Sequence, residues 1–479
     1  PETGLVFVGT RNAAPYPRRI RDPGGGDNLY VCSILALDAK TGRLVWAHQQ
    51  VPAEQWDFTA TQPMILTHLT LDGVRRPVLM QAPKNGFFYV YDRRTGALLR
   101  ADKFARAGWA SHVDLKTGRP AEIPEADYSN GPKLISPAPF GAHNWNPMAF
   151  SPRTGLVYIP AIDSAAILWA PDSSAAHKPG LFAPRAIPFF LAQIKGAPDS
   201  LPAPVRAYVQ AARFPEAALE ENAFLRAWDP VAGKIKWQVR ARGWWDHAGV
   251  LATGGELVIQ GSSDGWLRLY DDRTGAPLHA IDTGSSIMAA PMTYAVDGVQ
   301  YVSVMAAWGG GGWNMPHPGD AHLKYGNMGR ILTFKLNGGA TPKPPVIAPL
   351  APAPEPPPLR ASGKAIALGQ RLFQAHCIVC HANIPGAYPP DLRRMDKDTH
   401  AAFDDIVLNG ALKESGMPGW DDVLSRADAH ALQRGQYERA GHEAGDEGVE
   451  HDEDAPLELH LVGVHEAFDA FQQGFHAIS

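Results

Sequence analysis

The 479-residue chain predicts a mainly β region built from repeated strand–turn–strand units, tethered to a small all-α domain. Three observations carry this: a recurring Asp-x-x-Thr-Gly turn before residue 340, a proline-rich stretch after it, and an amphipathic segment beyond that leading into Cys-x-x-Cys-His. Hydrophobic residues make up 45% and charged residues 19% of the chain, so most of it should bury cores. At this length two or three domains are expected.

The chain opens on "PETGLVFVGT", which reads as a strand with no leader before it, so further sequence is expected upstream. "ALDAKTGRLVW" (36–46) and "AWDPVAGKIKW" (227–237) follow one pattern. "VYDRRTGALL" (90–99) and "LYDDRTGAPL" (269–278) repeat it without the Trp, and "FSPRTGLVYIP" is a looser copy. Each copy reads as a strand, a tight turn in which Gly supplies the positive φ, and a second strand. "GELVIQGSSDGWLRLYDDRTGAPLHAIDTG" supplies three such short strands in succession. Recurrence at roughly 40 to 60 residues with several strands per unit describes propeller blades. The terminal Trp of a copy should pack between neighbouring blades, and four or five copies fill only part of a large closed ring. Cys32, in "LYVCSILALD", reads as a small buried hydrophobe in an apolar strand.

Nine of the seventeen residues from Pro342 to Pro358 are proline, which favours an extended tether. The expected domains are therefore a propeller over 1–340, a linker over 341–361, an all-α domain over 362–435, and an acidic, Gly- and His-containing tail over 436–479 that reads as solvated and disordered. "SGKAIALGQRLFQAHC" begins the α domain as an amphipathic helix. "SRADAHALQRG" begins a closing helix that should then break off.

Cys377-x-x-Cys380-His381 is a specific signal for covalent haem c attachment. Two thiols add to the vinyl groups and the adjacent imidazole ligates iron. A zinc site would require two more ligands, and a redox pair has no need of the His. The sixth ligand should be a soft group some tens of residues later. "SGMPGW" offers Met417, with Pro418 stiffening its loop, and Met395 is the alternative. A Met ligand raises the reduction potential and makes the haem an electron acceptor. "NGALKESGMPGW" resembles the methionine loop of class I cytochromes c.

The electron source emerges from four stretches taken in order. "VFVGTRNAAP", "GGGDNLYVCSILALDAKTGRLVWAHQQVPAEQWDFTATQ", "VLMQAPKNGFFYVYDRRTG" and "FGAHNWNPMAFSPRTGLVYIPA" resemble the quinohaemoprotein alcohol dehydrogenases over residues 1 to about 430. In that family an eight-bladed propeller holds pyrroloquinoline quinone (PQQ) and Ca²⁺, and a fused class I cytochrome c domain takes the electrons. The resemblance implies that Asn12 is a Ca²⁺ ligand and that Asp57 is both the catalytic base and a metal neighbour. Lys84 would contact the quinone oxygens, Asn144 and Trp145 would line the cofactor, and "WGGGGW" (308–313) would abut its edge.

The residue types suit these roles. Ca²⁺ takes oxygen ligands and polarises a carbonyl as a Lewis acid. A carboxylate can take the alcohol's proton as hydride leaves for the quinone. An ammonium stabilises the charge that gathers on the reduced quinone. Lanthanide-using relatives carry a second carboxylate two residues after the catalytic Asp; Thr59 stands there, which favours calcium.

Three departures from the family pattern matter. Arg11 replaces a usual Gly beside Asn12. The upstream blades, which in the family supply a Glu metal ligand, a pair of adjacent cysteines and a Trp beneath the quinone, are not part of the sequence. The closing helix is degraded.

The function implied is PQQ-dependent oxidation of an alcohol to an aldehyde, with electrons passing to haem c and on to a cytochrome, a copper protein or a quinone. The implied location is the periplasm. The alternatives are an inactive fragment that at most carries haem, and a propeller binding module in which Asp57 and Lys84 are structural. Net charge of −5 gives no reason to expect nucleic acid, and no apolar run reaches the length of a membrane helix.

Overall fold

The computed structural model describes residues 2–170, 186–196, 198, 201–243, 247–309, 317, 319–348, 354, 362–377, 381 and 392–442. Among the described residues seven antiparallel sheets form, and five of them follow one another as blade-like units. The first holds Leu5–Gly9, Ser33–Asp38 and Leu44–Gln49; the second holds Met64–Leu71, Val74–Gln81, Phe87–Asp92 and Leu98–Lys103. The third holds Ala149–Ser151, Leu156–Asp163, Asn222–Asp229 and Lys234–Arg240. The fourth holds His247–Ala252, Leu257–Ser262, Trp266–Asp271 and Pro277–Asp282, and the fifth Met292–Val296, Val299–Ala306 and Arg330–Lys335. Each sheet is a meander of sequence neighbours, the third interrupted by an insertion, as a propeller blade requires.

The turns explain the repeat. Asp38 Oδ1 accepts from the backbone N–H groups of Lys40 and Thr41 at 3.1 and 2.8 Å and from the Thr41 hydroxyl at 2.8 Å. Gly42 follows at φ +70°. The same Asx turn closes at Asp92, Asp229 and Asp271. A further copy, which the sequence reading missed, stands at Asp114, whose Oδ1 accepts from Lys116 and Thr117 N–H at 2.8 Å. In the looser copy Ser151 replaces the Asp, accepting from Thr154 N–H at 3.3 Å.

The tryptophans join one sheet to the next. Trp46 lies against Gly96, where an added Cβ would come within 2.7 Å of the indole, and its Nε1–H donates to the Arg93 carbonyl at 3.3 Å. Trp237 does the same at Gly275, donating to the Asp272 carbonyl at 3.2 Å. The Gly is thus required twice, for its left-handed backbone and for the close approach of the ring. Apolar faces fill the spaces between sheets: Ile34, Ala36, Tyr89 and Tyr91 between the first two, Met80, Phe88, Val157 and Ile159 between the next. Tyr158, Ala227 and Val258 fill the third space, and Ile259, Leu267, Val304 and Leu332 the fourth.

Two expectations need correction, that for Cys32 and that for the closing helix. The region before the linker is mainly β as expected, and it also carries a ten-residue helix, Ala203–Ala212. Its buried Val205 joins Ile167, Phe189 and Leu191 in an inserted core of its own, and that tertiary burial outweighs the strand-rich context. Cys32 is fully buried, but it stands in the turn before its strand, at φ +48°. The closing helix does not break off: it runs seventeen residues, Arg426–His442, past the limit of 435.

That closing helix packs across Gly363–His376. Gly369 permits the crossing, since a Cβ there would lie 1.8 Å from the Ala431 carbonyl oxygen. Ala429 and Leu432 join Phe373, Phe403, Val407 and Leu424 in one core. The start of the proline-rich segment is tied down: Lys343 pairs with Asp282, and Ile347 N–H donates to the Lys324 carbonyl at 3.0 Å. Residues 443–479, the bulk of the expected tail, lie outside the described residues.

Candidate cofactor site

Three loops meet at one end of the first three sheets. The first runs on from strand Leu5–Gly9 and carries Asn12. Gly9 lets it approach the second, for a Cβ on Gly9 would stand 1.9 Å from the Ala60 carbonyl oxygen. The second loop, 50–62, is knitted by Glu54. Its Oε1 accepts from Trp56 N–H at 2.5 Å and Phe58 N–H at 2.7 Å, throwing Asp57 to the apex at φ +66°. An L-residue held there stores about 1 kcal/mol. Trp56 anchors the loop from below: it is buried against Trp109 (ring centroids 5.1 Å apart) and donates to the Ala126 carbonyl at 2.9 Å.

Lys84, on the turn after Val74–Gln81, reaches across to Asp57. Its ammonium donates to Asp57 Oδ2 at 3.1 Å, to the Asp57 carbonyl at 2.9 Å and to the Pro139 carbonyl at 2.9 Å, using all three protons. The lysine side chain is 10% exposed and that of Asp57 22%. Pro139 begins the third loop, 139–147, and Gly141 cradles the lysine stem: a Cβ there would fall 2.4 Å from Lys84 Cγ.

Asn144 and Trp145 sit on this third loop. The Asn144 side chain is engaged locally, donating to the Phe140 carbonyl at 2.8 Å and accepting from Trp145 N–H at 2.9 Å. The Trp145 indole N–H is buried without a partner.

Beside Asn12 and Asp57 stands a residue that the sequence reading did not single out. The Tyr16 phenol neighbours both, and burial followed by the Asp57 carboxylate pushes its pKa up. Two others were also missed. Glu54 is fully buried, its pKa pushed up to about 8 by burial first and by Asp57 next; its Oε2 has no partner. Arg21 staples the first two loops, donating from Nη1 to the Pro15 and Tyr16 carbonyls at 2.7 and 2.9 Å and from Nη2 to the Glu54 carbonyl at 2.6 Å. Arg11 is exposed, while Thr59 is buried and accepts from Gln62 Nε2 at 2.9 Å. Most of "WGGGGW" lies outside the described residues; its first member, Trp308, stacks on His322 at 4.4 Å.

The arrangement therefore presents a carboxylate, an amide and a phenol around one point, with an ammonium behind the carboxylate. These are hard oxygen donors suited to Ca²⁺, which takes six to eight oxygens. Among the described residues no group of three or more His, Cys, Asp or Glu could hold a metal ion by itself, so a filled calcium shell would draw further oxygens from elsewhere. The orphaned Trp145 N–H and Glu54 Oε2 are unmet polar groups that fit a site for a polar ligand.

In the α domain, His381 is buried and its backbone N–H donates to the Cys377 carbonyl at 2.8 Å, which keeps the two residues close. Cys377 is partly buried, which fits thioether attachment, and Cys380 lies outside the described residues. Both candidate sixth ligands pack with Cys377 in the same core, Met395 as a buried member and Met417 partly exposed at its edge. No helix among the described residues is long and apolar enough to cross a membrane.

Residues 1–101 and 120–302 match the family model described as glucose/ethanol/alcohol dehydrogenase, β-propeller domain, and residues 364–434 match that of cytochrome c oxidase, cbb3-type, subunit III. The quinohemoprotein alcohol dehydrogenase ADH IIB of Pseudomonas putida is 42% identical over 435 residues, covering 88% of this chain and 58% of the relative. The solved structure of ADHIIG from Pseudomonas putida HK5 superposes with a TM-score of 0.76 at 34% identity, over 92% of this chain and 63% of that one. The quinohemoprotein alcohol dehydrogenase of Comamonas testosteroni gives 0.70 at 34%, over 92% and 62%. The chain thus spans about three fifths of the length of these relatives.

Proposed function

Because this chain belongs to the glucose/ethanol/alcohol dehydrogenase family of β-propellers, here joined to a cytochrome domain, we propose that it forms part of a PQQ-dependent alcohol dehydrogenase that passes electrons to its own haem c. The observation that carries this reading is the triply bonded Lys84 ammonium against Asp57, with the half-buried Tyr16 phenol beside Asp57 and Asn12. An ion pair serving stability alone has no need of an apex carboxylate in a left-handed conformation, left partly open to solvent.

Asn12 and Asp57 would hold Ca²⁺, and Lys84, Asn144 and Trp145 would hold PQQ; Cys377, Cys380, His381 and Met417 would hold haem c. When bound, PQQ supplies a two-electron oxidant, Ca²⁺ polarises it, and haem carries the electrons singly. Asp57 takes the hydroxyl proton of the alcohol at its carboxylate. Lys84, fixed by the Pro139 carbonyl, holds that carboxylate at a set position and places positive charge beside the reacting centre. Trp56, Phe58 and Trp109 close the floor below Asp57 and exclude water from beneath it. The substrate is a small-molecule alcohol, the implied compartment the periplasm, and the next acceptor a cytochrome, a copper protein or a quinone.

The test uses the full-length protein supplied with PQQ and Ca²⁺. Alcohol-dependent haem reduction is followed by absorbance in the wild type and in Asp57→Asn. A loss of 10²- to 10⁴-fold, the usual share of a general base, is expected, with haem content unchanged; a wild type that never reduces its haem with any alcohol, or an Asp57→Asn protein as fast as wild type, rejects the reading.

A further inference from the structure

His143 lies one residue before the Asn144–Trp145 pair and is fully buried. Its two ring nitrogens face two backbone carbonyls: Nδ1 stands 2.6 Å from the Ala82 oxygen and Nε2 2.6 Å from the Asn146 oxygen. Ala82 precedes Lys84 by two residues and Asn146 follows Trp145. The imidazole thus links the Lys84 turn to the 139–147 loop.

A neutral imidazole has one N–H and one bare lone pair. Were the ring neutral, one of these carbonyls would confront that lone pair at 2.6 Å, a repulsive contact. Both distances are also shorter than the roughly 2.9–3.0 Å typical of neutral N–H···O bonds, and closer to the roughly 2.7–2.9 Å of charged donors. Only a doubly protonated ring satisfies both carbonyls. Burial sets the ring's pKa below its ordinary value, and the two carbonyls offset that only in part by pushing it up; it is the geometry of the two contacts that calls for the charged ring. Among the described residues no titratable side chain contributes to the ring's shift, and Lys84 is turned to Asp57 and Pro139. The groups that favour the proton there are the two backbone carbonyls.

We propose that His143 is a positioning residue: as an imidazolium donating from both ring nitrogens, it clasps the Lys84 loop to the Asn144–Trp145 loop and sets the gap in which a planar quinone is held. The clasp acts together with the bond from Ala142 N–H to the Lys84 carbonyl (2.8 Å), which ties the same two loops one residue away. A glutamine at 143 carries its donors on a single atom and cannot bond two carbonyls on opposite sides. Its loops keep the Ala142 tie but lose one point of register.

The inference rests on the site being a PQQ pocket, and two measurements on the full-length protein separate its failure from the failure of that reading. ¹⁵N-histidine NMR or neutron diffraction of the wild type reads the ring directly: both nitrogens protonated at neutral pH is expected, and one bare nitrogen overturns the clasp. PQQ titration with Ca²⁺ present then compares wild type with His143→Gln. An affinity loss of about tenfold to a hundredfold is expected, the equivalent of one bond from a charged donor, with haem content unchanged. Equal affinities overturn the positioning role. Should His143→Gln fail to fold, the wild-type protonation state decides the question. A wild type that takes up no PQQ defeats the functional reading, and the ring measurement still judges the clasp.

Discussion

Replacing Lys84 by methionine removes the ammonium while keeping a stem of nearly the same length. Three bonds disappear, to Asp57 Oδ2, the Asp57 carbonyl and the Pro139 carbonyl. Bonds from a charged donor contribute roughly 1.5–3 kcal/mol each. Offsetting this, a side chain only 10% exposed no longer has a charge to desolvate. Asp57, at 22% exposed, can recruit water, whereas Pro139 has less access to it. The net loss works out at about 3 kcal/mol, within the range found when one partner of a buried pair is deleted. Urea unfolding followed by tryptophan fluorescence reports the propeller, because twelve of the thirteen tryptophans precede residue 341. The Lys84→Met midpoint should fall accordingly, and PQQ affinity should fall with it. A shift below about 0.5 kcal/mol, the scatter of an inconsequential surface substitution, would refute the description of Lys84 as the post that holds Asp57.

Further outcomes follow from the same geometry. Gly369→Ala places a methyl 1.8 Å from the Ala431 carbonyl oxygen; the two helices must part, and the haem domain should lose at least 2 to 3 kcal/mol of stability in a thermal melt followed at the haem band. His48 and His322 each have a pKa lowered to about 4, in both cases chiefly by burial. Unfolded histidines protonate near 6.5. The sign is therefore that of a depressed pKa: full stability above about pH 6.5, lost as pH falls toward 4, at up to about 3 kcal/mol per ring. A His48→Gln protein should lose less stability than wild type between these limits, and parallel pH curves would contradict this. Met417→Leu should abolish the long-wavelength signature of methionine–iron ligation, and Met395→Leu should leave it; the reverse pattern would make Met395 the ligand.

What could be read from the sequence was local or inherited. The Asp-x-x-Thr-Gly turn is legible because all its bonds run between residues two to four apart. The copy at Asp114 escaped because the two-stranded ladder around it, Ala110–Val113 with Pro120–Glu122, lacks the long apolar strands that flag the others. Asp57 and Lys84 were legible only through resemblance; no spacing in the chain says that residues 27 apart will meet. Tyr16, Glu54, Arg21 and His143 were missed because their roles are set by partners that folding supplies, a carboxylate 41 residues away for Tyr16 and a carbonyl 61 residues away for His143. The closing helix was misjudged from its polar second half. What holds it is the face of Ala429, Ala431 and Leu432 against Gly369, a fact of packing rather than of composition.

The central claim is that Asn12, Asp57 and Lys84 surround one pocket that accepts a planar quinone beside a divalent cation. A crystal structure of the full-length protein with PQQ and Ca²⁺ added tests it most directly. The account predicts density for the quinone within hydrogen-bond reach of Lys84 Nζ and a cation touching Asn12 Oδ1 and an Asp57 carboxylate oxygen. A quinone bound away from these three residues, or a loaded protein with no cation between Asn12 and Asp57, would contradict it.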